Sequence, residues 1–371
     1  MYPGRGTARH SRRRRRRRWM AACAMVAAPA LLAAAGTAAA ATQPNITTRG
    51  VQFVDQRGRV VVLRGVNISD RSAHMRDVAA IGANFVRLRV LWAQVEPARG
   101  RFDAAELARL DTFVGYFTTH GIAVELDLRG RRVPDWFGST RRFYGRNAPA
   151  SQRAYLGFVR TIVARYDTNP FVMGYGIFNE PQPYHWSGFG SPRVDQRILS
   201  WQARIRDGIL AVDPYRAVFL NIRGGNYGVA SACFRCAGFG LAHTVLDWHD
   251  YYNGCCGSGM DATADNWLPS WPETHNQRNH AYRGSISDQW LNLAIPWSRT
   301  RRLGVPMIVG EWGVRIDDAG RGIYDDQMWR ILTRHGLSWA RWDMDNGELG
   351  LVRHGALNDQ GAWLRDHLVT G

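Results

Sequence analysis

Two glutamates stand where chemistry could be done, each closing a short apolar run. Tyr175-Gly176-Ile177-Phe178 leads into Asn179-Glu180, and Met307-Ile308-Val309-Gly310 leads into Glu311. Runs of this length read as buried strands, so each acid is delivered to a strand end rather than to an open surface. A pair of such carboxyls suits glycoside hydrolysis: one protonates the leaving oxygen, and the other attacks the anomeric carbon or activates a water. For either glutamate alone, capping a helix or pairing with a surface arginine is the plainer reading. Other polar and aromatic residues close further apolar runs: Arg87, then Asp127 and Arg129, then His249 and Tyr251, then Trp342 and Asp343. So many at successive run ends are costly as core and sensible as one site.

The elements that must position these residues alternate. After a β-hairpin (51–54 and 59–66, turning at Asp55-Gln56-Arg57-Gly58), strand-like runs occur at 63–67, 84–90, 122–128, 172–178, 217–222, 244–249, 307–310 and 338–342. Between them lie stretches with helical spacing, at 104–119, 151–166, 195–212, 287–303 and 324–335. Eight strands each followed by a helix predict an α/β fold, a single (β/α)8 TIM barrel with an N-terminal β-hairpin and long active-face loops. A doubly wound open sheet is the main structural rival. Residues 254–283 read as one long loop on the active face, because the alternation resumes after them.

The chain has 371 residues, 45% hydrophobic and 11% aromatic, which excludes a small stapled domain and a disordered chain. Its 48 Lys+Arg against 31 Asp+Glu give a net charge of +17, a nucleic-acid footprint until the location is checked. Arg5, Arg9 and Arg12 to Arg18 all precede an Ala-rich apolar run and the small residues Ala39-Ala40-Ala41, and no acid occurs before Asp55. That is the layout of an export signal, so residues 1–41 are read as a signal peptide and 42–371 as the catalytic domain. The arginine run also suits twin-arginine export, and the route stays open. Removing nine charges from +17 leaves about +8, which no longer demands a polyanionic partner. Nucleic-acid binding is therefore not expected. No later stretch approaches 18 apolar residues, so the expected mature protein is soluble, and the export signal makes it secreted; no module or anchor for surface attachment is expected, and a monomer is expected although nothing in the sequence sets the oligomeric state.

Export also frames the cysteines. Cys23 goes with the signal and leaves Cys233, Cys236, Cys255 and Cys256, an even number for an oxidising compartment. Bridging between the two clusters is favoured, a Cys233 to Cys236 bridge is possible, and a zinc site has the ligand type but not the paired Cys-x-x-Cys spacing. No metal constellation, phosphate loop or Ser-His-Asp order stands out, so no cofactor is expected. Trp92, Trp136, Trp186, Trp267 and Trp271 lie in loop-like segments as candidate sugar platforms, with buried structural roles as the alternative. Trp186 leads this group because it follows Glu180 so closely.

Asn179-Glu180-Pro181 together with Gly310-Glu311-Trp312-Gly313 resembles glycoside hydrolase family 5, the cellulase-like retaining β-glycosidases of clan A. Supporting matches are Leu63-Arg64-Gly65-Val66-Asn67, Gly82-Ala83-Asn84-Phe85-Val86-Arg87, His249-Asp250-Tyr251 and Trp342, in order over about 51–363. The resemblance implies Glu180 as general acid/base and Glu311 as nucleophile. It implies Asn179 on the sugar 2-hydroxyl, Arg87 and Tyr251 beside Glu311, His249 near Glu180 and the sugar, and Trp342 as the floor of the cleavage site. The nearby guanidinium and phenol would keep Glu311 ionised, and less polar surroundings with the charge of Glu311 would keep Glu180 protonated. The implied substrate is a β-1,4-linked glucan or mannan, then a β-1,3-glucan or a glycoside with a non-sugar tail. A catalytically impaired carbohydrate-binding protein on the same scaffold is the alternative. One position departs from the family: where a histidine is usual at the third strand, this chain has Asp127-Leu128-Arg129. Its fixed charge and longer reach would reshape the sugar contacts and suit an acidic or decorated glycan.

Overall fold

The computed structural model describes residues 45–370 apart from 70–73, 131, 145–147, 182–191, 223–232, 252–285 and 345–346. Three short strands come first: β1 (Ile46–Arg49), β2 (Gln52–Asp55) and β3 (Val60–Val61), paired antiparallel in that order. Asp55 Oδ1 accepts from the backbone N–H of Arg57 and Arg59, both at 2.9 Å, and Gly58 takes a φ of 75°, so the expected turn folds on its own residues. The expected hairpin is therefore β2 and β3, with β1 as an added edge. The run 59–66 is divided, because residues beyond Leu63 leave this small sheet to enter the barrel.

Eight parallel strands then close on themselves: β4 (Arg64–Ile68), β5 (Phe85–Leu91), β6 (Ala123–Arg129), β7 (Val172–Ile177), β8 (Ala217–Leu220), β9 (Thr244–Tyr251), β10 (Met307–Gly313) and β11 (Ser338–Arg341). Ring closure between β11 and β4 excludes the open doubly wound sheet. Strand alternation sorts the side chains. On β6, Val124, Leu126 and Leu128 join the helix-facing core with Leu110, Phe113 and Phe117 of the helix Ala104–Thr119. That helix starts where Asp103 accepts from the Glu106 N–H at 2.8 Å.

Facing inward at the strand starts are Leu63, Phe85, Ala123, Met173, Ala217, Val245, Ile308 and Ala340, and Phe53 of β2 closes this floor, its ring stacked 6.4 Å from Phe219. The small sheet thus plugs the barrel, which leaves the opposite end for the site. Among the described residues no helix is long and apolar enough to cross a membrane.

Cys233 is joined to Cys236, which corrects the favoured pairing between clusters. A tight 3-10 turn at Arg235–Ala237 brings the two Cα atoms to 5.2 Å, within bridging range, and sulfurs in a disulfide are not thiolate ligands for zinc. Cys255 and Cys256 lie outside the described residues.

Candidate active site

Above the floor the inward positions turn from apolar to charged. Arg87 of β5 is buried at the centre. Its Nη1 donates to Glu311 Oε1 at 2.6 Å and to Asn67 Oδ1 at 3.0 Å, and its Nη2 donates to Asn179 Oδ1 at 2.7 Å. Asp127, Glu125 and Asp247 stand 3.2 to 3.3 Å from the same guanidinium. Burial alone would make its proton easier to lose, but the surrounding acids outweigh that and raise its pKa.

Glu311 is placed by an irregularity in β10. The register against β9 shifts between Val309 and Glu311, which sets Glu311 opposite His249. Gly310 sits in that step because a Cβ there would lie 1.9 Å from Asp247 Oδ1. Gly176 leaves room in the same way for Glu125, whose Oε1 would be 2.8 Å from an added Cβ. Arg129 Nη2 donates to Glu311 Oε1 at 2.5 Å, and Tyr251 OH donates to Oε2 at 2.7 Å. Burial pushes the Glu311 carboxyl up, but His249, Arg129 and Arg87 together outweigh it and hold the group below the ordinary glutamate value. Burial beside Glu311 and Glu180 pushes the Tyr251 phenol well up, so it stays a donor.

Glu180 reaches the same space from β7. Both residues around Asn179 have left-handed backbone, Phe178 at φ 46° and Glu180 at φ 47°, which L residues adopt only when their surroundings enforce it. Phe178 N–H donates to Tyr155 OH at 3.1 Å, and that hydroxyl donates on to Leu128 O. Glu180 N–H donates to Asn221 Oδ1 at 3.0 Å, while Asn221 Nδ2 donates to Asp247 O at 2.6 Å. This bracing aims Glu180 at His249, whose Nδ1 is 2.8 Å from Glu180 Oε1 and 3.5 Å from Glu311 Oε2. Asn221→Ala removes the brace and leaves a strained turn with an unmet N–H, so kcat is expected to fall about tenfold or more with little change in KM, read from steady-state kinetics.

His249 is fully buried, which lowers its pKa, but Glu311, Asp247 and the bond to Glu180 raise it further, to about 10. The ring is therefore protonated and its Nδ1–H donates to Glu180. A histidine raised from about 6.5 to about 10 contributes stability that is whole below pH 6.5 and is lost as pH rises through 10. Thermal melts across that window should fall in the wild type and flatten in His249→Gln.

One carboxylate oxygen each from Glu180 and Glu311 and a His249 nitrogen lie within 4.8 Å of one another, the spacing of a cation site. The charges argue for a different use. The proton on His249 and the guanidiniums of Arg87 and Arg129 already face these acids, and a metal ion would meet that positive charge. Burial pushes the Glu125 carboxyl well up, against the pull of the Arg87 guanidinium beside it.

The structure thus brings Arg87, Arg129, Asn179, Glu180, His249, Tyr251, Glu311 and Trp342 to one end of the barrel. Asn179 is buried, and its Nδ2 makes no hydrogen bond among the described residues. Trp342 is buried, and the Arg129 guanidinium lies 4.9 Å from its ring centroid. Trp186, Trp267 and Trp271 lie outside the described residues. Trp92 is no platform: it is fully buried against Phe137, Tyr155 and Phe158, and its Nε1 donates to Glu96 Oε2 at 2.7 Å. Trp136 packs edge-on against it, with Nε1 donating to Glu96 O. Reading for strand ends missed Glu125, Asp247, Asn221 and Tyr155. The first two had a signal in the period-two alternation Glu125, Asp127, Arg129 on β6 and Asp247, His249, Tyr251 on β9.

A closed (β/α)8 barrel with two carboxyls, a buried arginine and an indole gathered at its C-terminal end is the frame of a glycoside hydrolase. Residues 54–348 match the family model Cellulase (glycosyl hydrolase family 5), and the chain belongs to that family and hydrolyses O-glycosyl bonds. It is similar to mannan endo-1,4-beta-mannosidase 7 of Oryza sativa subsp. japonica, 22% identical, with 81% of this chain and 86% of the relative covered. It is also similar to endoglycoceramidase I of Rhodococcus hoagii (strain 103S), 28% identical, with 80% and 67% covered. Among solved structures, endo-glycoceramidase II from Rhodococcus sp. in a cellobiose-like isofagomine complex has the same fold, with a TM-score of 0.62, 18% identity and coverage of 85% and 81%. So has the catalytic domain of the major endoglucanase from Xanthomonas campestris pv. campestris, with a TM-score of 0.59, 19% identity and coverage of 88% and 100%.

Proposed function

We propose that the chain is an exported, retaining β-glycoside hydrolase in which Glu311 is the nucleophile and Glu180 the general acid/base. One observation carries this reading: Glu311 is held ionised by His249, Arg129 and Arg87, with a carboxylate oxygen of Glu180 within 4.8 Å. Retaining enzymes keep their carboxyls about 5 to 5.5 Å apart, whereas inverting ones leave room for a water at about 6.5 to 9.5 Å. In the first step Glu311 attacks the anomeric carbon while Glu180 gives its proton to the leaving oxygen. In the second, Glu180 takes a proton from water, which releases the sugar with its configuration retained. The unmatched Asn179 Nδ2 is suited to the sugar 2-hydroxyl, and the indole of Trp342 to the C–H face of a pyranose.

The substrate is a β-1,4-linked glucan or mannan. A mannosidase and an endoglycoceramidase among the relatives keep mannan and a glycoside with a non-sugar tail in the same panel. Sugar release by residues 42–371 from glucans, mannan, xylan, glycosylceramide and aryl β-glycosides tests the reading, with proton NMR of the first-formed anomer. Early β-anomer supports it; early α-anomer overturns the retaining assignment. Glycan binding without turnover would instead favour a binding protein, for which the bond from Arg129 to Glu311 would be the reason. Residues 1–41 would act as the export signal, and N-terminal sequencing of the secreted protein should then begin at Thr42.

A further inference from the structure

Arg129 sits where the proposed sugar has to go. A pyranose bound for cleavage must touch both the indole of Trp342 and the carboxylate of Glu311. Arg129 touches both: its guanidinium carbon lies 4.9 Å from the Trp342 ring centroid, and its Nη2 donates to Glu311 Oε1. That oxygen also takes the bond from Arg87, and Oε2 takes the one from Tyr251, so three donors quiet the group that is to attack. For a sugar to stack and Glu311 to be freed, the tip of Arg129 must leave both partners. Its base need not move, because Nε is bound at 2.5 Å to Asp127 Oδ2 on the same strand.

A guanidinium that gives up a buried carboxylate requires another acceptor, and a neutral hydroxyl is a poor exchange for an anion. We propose that Arg129 is a specificity-determining residue: it covers the sugar-stacking face of Trp342 and the nucleophile in the free protein, and turns to bind an acidic group on the substrate beside the scissile bond. This rests on the hydrolase reading and names the substrate class within it. The shared chemistry is an anion in fork geometry, carried as a uronic carboxylate or as a sulfate ester. A neutral glucan would have to displace Arg129 with nothing to receive it. Arg87 and His249 cannot take this role, since their side chains are only 1% and 2% exposed against 12% for Arg129.

The test compares kcat/KM on matched polymers: a β-1,4-glucan and a mannan, each neutral, oxidised at C6 to the carboxylate, or sulfated. Wild type, Arg129→His and Arg129→Lys are assayed together, with Glu311→Gln reporting whether any turnover belongs to this site. The wild type should favour one anionic form over its neutral parent by about tenfold or more, and the preferred form tells carboxylate from sulfate. Arg129→His should invert the order, losing on the anionic polymer and gaining several-fold on the neutral one. Arg129→Lys should keep the anionic preference in weakened form. A neutral preference in the wild type, or an equal loss on both polymers in Arg129→His, overturns the proposal. If no polymer is cleaved, calorimetric binding decides: anionic binding lost in Arg129→His keeps this inference while the hydrolase reading falls, and no anionic preference in binding ends it.

Discussion

Glu311→Gln is expected to lower kcat by about ten-thousand-fold or more, with KM little changed, because the amide keeps the shape of the nucleophile and loses its charge. The surroundings explain the size of the loss. Two guanidiniums, a phenol and a protonated imidazole converge on this one carboxylate, and each is placed for an anion. Glu311 is also the strongest of the influences that raise the His249 pKa, so that value should fall from about 10, which a histidine NMR titration would read. Steady-state kinetics on an activated aryl glycoside measure the rate. Glu311→Ala with added azide or formate gives the complementary result: partial return of activity with an α-configured product, since the small anion enters from the vacated face. A variant that retained a tenth of the wild-type rate would sink the assignment of Glu311.

Arg87→Ala should be the most damaging single change to the fold. It takes away the cation that pairs with all four of Glu125, Asp127, Asp247 and Glu311, each of them buried. Breaking a buried ion pair by removing one partner costs about 3 to 5 kcal/mol. For a domain of this size that corresponds to a Tm lower by about 5 to 15 °C. The sign of the pH dependence follows from the stranded acids. Without Arg87, burial is less opposed at Glu125 and Glu311, so these carboxyls take up protons more readily in the folded state and the deficit against wild type shrinks as pH falls from 7 toward 5. Calorimetric melts of both proteins at pH 7 and pH 5 measure it, and a deficit that is constant with pH would mean that lost packing dominates. Arg87→Lys should recover little, because one ammonium cannot serve Glu311, Asn67 and Asn179 together.

Much of this site was legible in the chain, for a physical reason. A barrel strand buried on both faces reads as an apolar run, and the residue that breaks the run at its C-terminal end has to face the one open end of the barrel. Asn179, Glu180, His249, Tyr251, Glu311 and Trp342 were found in that way. The belt of acids under Arg87 was harder to see because Glu125 and Asp247 lie inside such runs, at positions where alternation points into the barrel. Trp92 reads as a loop platform because it directly follows β5, yet the chain turns there into the short helix Trp92–Val95 and carries the indole into the core. The cysteines depended on local backbone: the tight turn at Arg235–Ala237 brings Cys233 to Cys236, and spacing alone does not reveal that turn.

The sequence by itself determined the strand order, the family and the two carboxyls, because apolar periodicity and residue type are local properties carried by each segment. Only the tertiary structure decided what those residues touch. Arg129 and Glu311 are 182 positions apart, and barrel closure is what lets one arginine reach both Glu311 on β10 and Trp342 after β11. No pattern along the chain encodes a distance across the barrel, so whether that arginine lies beside the sugar or in its place could be read only once the ring had closed.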